Sequence, residues 1–324
     1  MSALTSTDVL RLGTRRSALA MAQASGVADA LRARGHDVEI VGVTTDGDRS
    51  ARVGTPVSDA GGTGVFVAEL RVRLLAGEVD LVVHSLKDLP TAPADGLTVA
   101  AMPPREDPRD ALVARDGRTL ADLPRGARVG TGSPRRAAQL RVARPDLDVR
   151  PLRGNVDTRL RKVSAGELDA IVVAAAGLAR LGRLDEATEL LDVATMLPAP
   201  GQGALAIECR AADLASENPL AEAISSLDDA VTRATVVAER TLLAELEAGC
   251  TAPVGALARV DGERANLQLV AAVVNVDGAT AIRRSASGPI AQPVELGRRL
   301  AVELLAAGAA GIVGGSTPSA HQPL

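Results

Sequence analysis

The stretch Ala127-Arg128-Val129-Gly130-Thr131-Gly132-Ser133-Pro134-Arg135-Arg136-Ala137-Ala138-Gln139-Leu140-Arg141-Val142-Ala143 contains one complete strand–turn–helix unit. The short run 127–130 gives a strand, and Thr131-Gly132 turns the chain. Ser133 is placed to cap a helix that begins at Pro134, where a missing N–H costs nothing and the fixed φ already suits the helix. The helix then runs to Ala143. Working outward, 147–150, 169–174 and 204–208 read as further strands, with helices at 157–164 and 178–181. Upstream, 17–34 reads as a helix stopped by Gly35, 38–44 as a strand and 66–76 as a helix. Two more strands follow at 79–84 and 97–101. Residues 46–64 are rich in glycine and polar side chains, a long loop of the kind that forms a lid or stays disordered.

Alternation of strand and helix implies an α/β architecture with mixed, largely parallel sheets. Pro103-Pro104 and Pro198-Ala199-Pro200-Gly201 punctuate this pattern twice. As hinges, they make the middle segment one domain inserted into another. After Asp228 the texture changes to a helix at 230–248, strand-like runs at 267–276 and 281–285, and a helix at 294–307. These form a small α+β domain, and the Gly/Ser/Pro-rich tail 314–324 is expected to fray.

Composition narrows the function. The 324 residues suffice for two or three domains, and 46% apolar with 23% charged is a globular composition. No apolar run approaches the ~18–20 residues of a membrane helix. Met1-Ser2-Ala3-Leu4 has neither basic flank nor apolar core, so no export signal is read. Two cysteines, Cys209 and Cys250, make no disulfide framework, and the expected location is the cytoplasm. Three histidines, one Phe, no Tyr and no Trp argue against a histidine metal cage, a tyrosine acid/base and a base-stacking nucleic-acid platform. The net charge is −4, but residues 125–162 carry +8 and the remainder −12. A basic block inside an acidic chain points to a focused anion site.

Ligands of open α/β sheets gather outside the carboxyl ends of the strands. Here 79–84 is followed by Ser85-Leu86-Lys87-Asp88, and 127–130 by Thr131, Ser133, Arg135 and Arg136. The strand 147–150 leads to Arg153-Gly154-Asn155 and then Arg159, and 169–174 to Gly177 and Arg180. One arginine would be solvated surface; cations and hydroxyls at four strand ends, with free amides at a helix start, make a cradle for carboxylates or phosphates. Asp88 in that company stays ionised and suits a positive charge developing on a substrate that is anionic elsewhere. His84, facing away from Ser85, reads as core or support. Cys209 ends an apolar strand and reads as a packing thiol. Cys250, between Gly249 and Thr251-Ala252-Pro253, fits packing and reactivity equally.

Together these segments resemble the porphobilinogen deaminase (hydroxymethylbilane synthase) family. The resemblance spans nearly the whole chain: Gly13-Thr14-Arg15-Arg16-Ser17, His84-Ser85-Leu86-Lys87-Asp88-Leu89-Pro90, Arg105-Glu106-Asp107-Pro108-Arg109-Asp110, Gly130-Thr131-Gly132-Ser133-Pro134-Arg135-Arg136, Leu152-Arg153-Gly154-Asn155-Val156, Ala176-Gly177-Leu178, Pro200-Gly201-Gln202-Gly203-Ala204 and Glu247-Ala248-Gly249-Cys250. It implies two lobes like those of periplasmic binding proteins, 1–103 with 204–224 and 104–203, plus a C-terminal α+β domain, 225–324. It also implies a dipyrromethane cofactor held by a thioether to Cys250. Four porphobilinogen units add to its free end with loss of ammonia, and water then releases hydroxymethylbilane for tetrapyrrole biosynthesis. Asp88 matches the catalytic aspartate. Lys87, Asp88, Thr131, Ser133, Arg135, Arg136, Arg153 and Arg159 match cofactor contacts, and Arg15, Ser17, Arg153, Arg159, Arg180 and Gln202 match substrate contacts. The family implies a monomeric transferase that needs no metal, nucleic acid or membrane.

Rival readings are a non-catalytic two-lobed anion-binding protein, which shares the architecture but needs neither Cys250 nor Asp88, and a nucleic-acid binder. The dispersed cations and missing aromatics weigh against the latter. Two positions depart from the family pattern. Many members carry a Lys-Val-Gly-Gly-Lys-Gly-like run where this chain has Asp59-Ala60-Gly61-Gly62-Thr63-Gly64, and Gly132 stands where serine is common. Asp59→Lys combined with Thr63→Lys is expected to lower the Michaelis constant for porphobilinogen in steady-state assays. An unchanged constant would count against a binding role for this loop.

Overall fold

The computed structural model describes residues 9–43, 65–214, 219–248, 252–262 and 265–314. The loop 46–64 with Asp59 and Thr63, the cysteine Cys250 and the tail after Gly314 lie outside the described residues. The chain begins with β1 (Leu10–Arg15), α1 (Ala18–Arg32), β2 (Val38–Val43), α2 (Val65–Leu75), β3 (Leu81–Ser85) and β4 (Leu97–Ala101). It continues through β5 (Asp110–Ala114), β6 (Arg128–Thr131), α3 (Pro134–Ala143), β7 (Asp148–Pro151), α4 (Val156–Ser164), β8 (Ala170–Ala174), α5 (Ala175–Arg180) and β9 (Glu189–Leu190). Then come β10 (Leu205–Arg210), α6 (Ala211–Leu214), α7 (Pro219–Ser225) and α8 (Ala230–Glu245). The last elements are β11 (Val254–Asp261), β12 (Asn266–Val274), β13 (Ala281–Pro289), α9 (Pro293–Ala306) and α10 (Ala309–Gly314).

These strands form three sheets, β2-β1-β3-β10-β4, β7-β6-β8-β5-β9 and an antiparallel β11-β12-β13. In each five-stranded sheet four strands share a direction, and one, β10 or β5, opposes both its neighbours. The opposing strand is in both cases the first that the chain forms after crossing from one sheet to the other. The mixed, largely parallel α/β architecture with a small α+β unit is therefore present.

Local chemistry sets the element ends. Ser17, Ser133, Asn155 and Asp229 cap α1, α3, α4 and α8, each side chain accepting a backbone N–H of the first turn. Pro134 stands at the start of α3 as its position predicts. Four strands were not expected. β1 mixes two arginines and a glycine with its two leucines. β5 opens on a charged residue, β9 has only two residues, and β11 carries a glycine and an arginine that mask its alternation. Leu112, Val129, Leu140 and Val172 pack on one face of the second sheet, and Leu160, Ile171, Val173 and Leu178 on the other. In the third unit, Leu242 of α8, Leu246 just past its end, and Leu300 and Leu304 of α9 cover Leu269 and Val273. The two helices approach so closely that a Cβ on Gly297 would lie 2.5 Å from the Ala238 carbonyl oxygen.

A buried carboxylate joins these parts. Glu239 of α8 is fully buried and accepts from Arg105 Nη1 (2.7 Å) and Nη2 (3.0 Å), Gly201 N (2.7 Å) and Ala258 N (2.8 Å). Arg105 lies in the first crossing, Gly201 in the second and Ala258 in the third sheet. Arg105 also donates to the Gln202 carbonyl (2.8 Å) and, through its backbone, to Thr232 Oγ1 (3.0 Å). Removing one partner of such a pair strands the other's charge, a loss of ~3–5 kcal/mol. Glu239→Ala is expected to lower the unfolding free energy measured in urea by that order, whereas Glu245→Ala, whose Arg298 partner is exposed, should change it little.

Candidate functional site

Lys87 and Asp88 sit in a single 3-10 turn, Leu86–Asp88, directly after β3. Its first amide, Leu86 N, donates to the Ala204 carbonyl of the second crossing at 3.0 Å. Lys87 Nζ reaches Gln202 Oε1 at 3.3 Å. Burial lowers the Lys87 pKa to about 8; the Arg136 charge pushes the same way, and Asp88 and Asp110 oppose it. Arg159, on α4, is lowered to about 10 by burial and by Arg136, again opposed by Asp88. Its Nε donates to the Gly154 carbonyl at 2.8 Å. The end of β3 and the starts of α3 and α4 thus share one electrostatic neighbourhood.

A cavity of about 40 Å³ lies there, lined by Lys87, Ser133, Arg135, Pro200, Leu243 and Ala252 among others. Its walls come from the turn after β3, the start of α3, the second crossing, α8 and the segment that enters β11. Thr131 is buried, and its Oγ1 accepts from Ser133 N at 3.2 Å, which shapes the start of α3. Arg180, at the end of α5, donates to the Gly203 carbonyl at 2.6 Å; burial lowers its pKa against the pull of Glu106. Arg15 ends β1 and Ser17 caps α1. Arg153 is exposed in the connection between β7 and α4.

Arg135, Arg136 and Gln202, read from the sequence as ligand contacts, have another use. Asp110, fully buried at the start of β5, receives Arg135 Nη1 (2.8 Å), Arg136 Nε (2.9 Å) and Nη2 (2.7 Å), and Gln202 Nε2 (2.9 Å). Burial alone would raise the Asp110 pKa, but the two guanidinium groups overcome it and hold the carboxyl well below its usual range. Arg135 also donates to the Leu197 carbonyl, Arg136 to the Val172 carbonyl (3.1 Å), and Gln202 to the Pro108 carbonyl (2.8 Å). Most of their donors are spent inside the protein. Arg135 Nε is the exception, buried with no hydrogen-bond partner while its side chain lines the cavity. Asp110 escaped the sequence reading because nothing marks it except its place in Arg105-Glu106-Asp107-Pro108-Arg109-Asp110, as a charged start to an apolar strand.

His84 is buried in support, with Nε2 3.1 Å from Glu208 Oε2, and Arg71 of α2 clasps the same carboxylate at 2.8–3.1 Å. The Cys209 thiol is buried and pushed up to about 12, the state of a packing thiol. Among the described residues, no helix is long and apolar enough to cross a membrane.

Residues 10–218 match the family model for the porphobilinogen deaminase dipyromethane cofactor binding domain, and residues 233–306 match that for the porphobilinogen deaminase C-terminal domain. The chain is 60% identical to the porphobilinogen deaminase of Acidothermus cellulolyticus over 95% of this chain and 92% of that one. It is 58% identical to porphobilinogen deaminase 1 of Streptomyces coelicolor, over 94% and 97% respectively. The Mycobacterium tuberculosis porphobilinogen deaminase is 56% identical over 93% and 97%. The chain belongs to the porphobilinogen deaminase family.

The backbone of this chain requires glycine at position 132. A Cβ there would lie 2.4 Å from the Leu152 carbonyl oxygen, so the backbone path between β6 and α3 excludes any side chain. The orphaned Arg135 N–H beside Lys87 and Ser133 fits an anionic, hydrogen-bond-accepting dipyrromethane. Among solved structures, the BvgS VFT2 domain of Bordetella pertussis superposes with a TM-score of 0.40 and 19% identity, over 68% of this chain and 86% of that one.

Asp110 makes an acid-dependent contribution to stability. Its folded pKa is depressed, so the contribution is complete above the unfolded carboxyl range of ~4 and is lost as pH falls toward the folded value. Asp110→Asn is expected to lower the thermal midpoint at neutral pH and to flatten the midpoint's decline below pH ~4. A variant with the wild-type acid profile would remove Asp110 as the cause.

Proposed function

We propose that this protein is a hydroxymethylbilane synthase, a transferase that condenses four porphobilinogen molecules head to tail, releases ammonia at each step and delivers the linear tetrapyrrole by hydrolysis. The observation that carries the proposal is the Lys87-Asp88 turn, set against Arg136 and Arg159 beside a cavity whose wall includes Ala252, two residues after Cys250 in sequence. Cys250 holds the dipyrromethane through a thioether sulfur. When bound, that group supplies a tethered, electron-rich pyrrole end that primes the condensation.

The chain's own residues do the rest. Each pyrrole brings an acetate and a propionate, so Arg15, Ser17, Lys87, Thr131, Ser133, Arg153, Arg159 and Arg180 bind and align a polyanion. Asp88 accepts pyrrole N–H groups and stabilises the positive charge that develops on porphobilinogen as ammonia leaves. Arg135, Arg136 and Gln202 act on this site through Asp110, fixing the crossing from which Gln202 meets Lys87; Arg135 Nε adds a direct donor toward the cofactor. The chain divides into 1–103 with 204–224, 104–203 and 225–324, and works as a cytoplasmic monomer.

Intact mass spectrometry of protein purified from a porphobilinogen-competent host is expected to show the two-pyrrole adduct, absent in Cys250→Ser. Asp88→Ala should keep the adduct and lose turnover. A bare polypeptide mass for the wild-type chain would end the proposal.

A further inference from the structure

The turn that carries Lys87 and Asp88 has few supports of its own. Ser85 precedes it without a side-chain cap, and its hydroxyl is engaged with Gln23 Nε2 at 2.9 Å. One internal bond, Leu89 N to the Leu86 carbonyl at 3.1 Å, closes the turn. Its carboxyl end would leave carbonyl groups without donors, the usual state of a helix terminus.

Arg240 of α8 meets those carbonyls. Nη1 donates to Leu89 O at 2.8 Å and Leu86 O at 3.1 Å, and Nη2 donates to Pro90 O at 2.7 Å. One helical turn earlier on the same face, Val236 joins the buried cluster of Leu86 and Leu89. Residues one turn apart on α8 therefore seat the segment 86–90, one through apolar packing and one through a planar fork of donors. An ammonium on a flexible stem cannot hold three carbonyls in that fixed geometry. The neighbouring Glu239 fixes α8 to both crossings, so the register of α8 is set independently of the turn.

We propose that Arg240 is a positioning residue for the reaction: from the helix that leads to Cys250, it sets the orientation of the turn bearing Asp88. Resting on the function proposed above, this adds a connection between the segment that would anchor the cofactor and the carboxylate that would act on the substrate. Asp88 lies between two of the carbonyls held by Arg240, so releasing them lets its carboxylate drift. A displacement near 1 Å at a reacting centre costs on the order of 100-fold in rate.

The test compares Arg240→Met and Arg240→Lys with wild-type holoenzyme, reading the covalent adduct by intact mass, the thermal midpoint, and kcat and KM for porphobilinogen. Expected are a retained adduct, a kcat lowered on the order of 10- to 100-fold in Arg240→Met, a smaller change in KM and a partial loss in Arg240→Lys. Added methylguanidinium, well below denaturing concentrations, should restore part of the kcat of Arg240→Met and leave that of wild type unchanged. A kcat within twofold of wild type in Arg240→Met overturns the proposal. So does a loss of activity that parallels loss of the folded state or adduct in both variants without guanidinium rescue, because Arg240 would then serve stability alone. Wild-type protein that lacks the adduct or leaves porphobilinogen unconverted would instead refute the function itself, whatever the variants do.

Discussion

Burying a carboxylate at a chain crossing is costly unless cations and amides meet it. This protein does so twice. Asp110 is held by Arg135, Arg136 and Gln202 where the first crossing enters the second sheet. Glu239 is held by Arg105 and two backbone amides where both crossings touch α8. Both centres are fully buried, so they gain little screening from water and tolerate little change in geometry. The position of the cleft follows from them, because the segments they pin are those that separate one sheet from the other.

The cationic character of the cleft therefore has two sources. Arg159, Arg180 and Lys87 spend at most one side-chain hydrogen bond each on the protein in the described contacts, and burial disfavours their charged forms. A polyanionic ligand would recover that unfavourable desolvation. Arg135 and Arg136 share a single counter-charge, Asp110, and their main contribution is rigidity. Counting basic residues in 125–162 merges Arg159 with Arg135 and Arg136, although the last two are bound to a buried carboxylate and hold the frame.

That distinction marks the limit of what the sequence discloses. Ser133-Pro134 announced α3 and its cap because capping is local chemistry. The buried runs of β3 and β8 were legible for the same reason, being apolar on both faces under helices. β5 was hidden by the polar residue that opens it, and β11 by its Gly255 and Arg259. The use of Asp110 depends on partners 25, 26 and 92 positions away, and a glutamate inside α8 looks like any solvated helix residue until the fold buries it. The candidate ligand contacts cluster at strand ends, where a pattern can be read. Residues that orient them do so across long separations.

The strand order of the first sheet has a consequence for how the chain is made. β4 hydrogen-bonds only to β10 within its sheet, although about a hundred residues of intervening chain separate them. During synthesis β4 emerges without its ladder partner, while every strand of the second sheet is complete before β10 appears. The inserted lobe thus has all its pairings available first, and the lobe that begins the polypeptide must be the later one to close. Such a long-range pairing slows folding and leaves an apolar edge exposed while the ribosome works through the middle of the message.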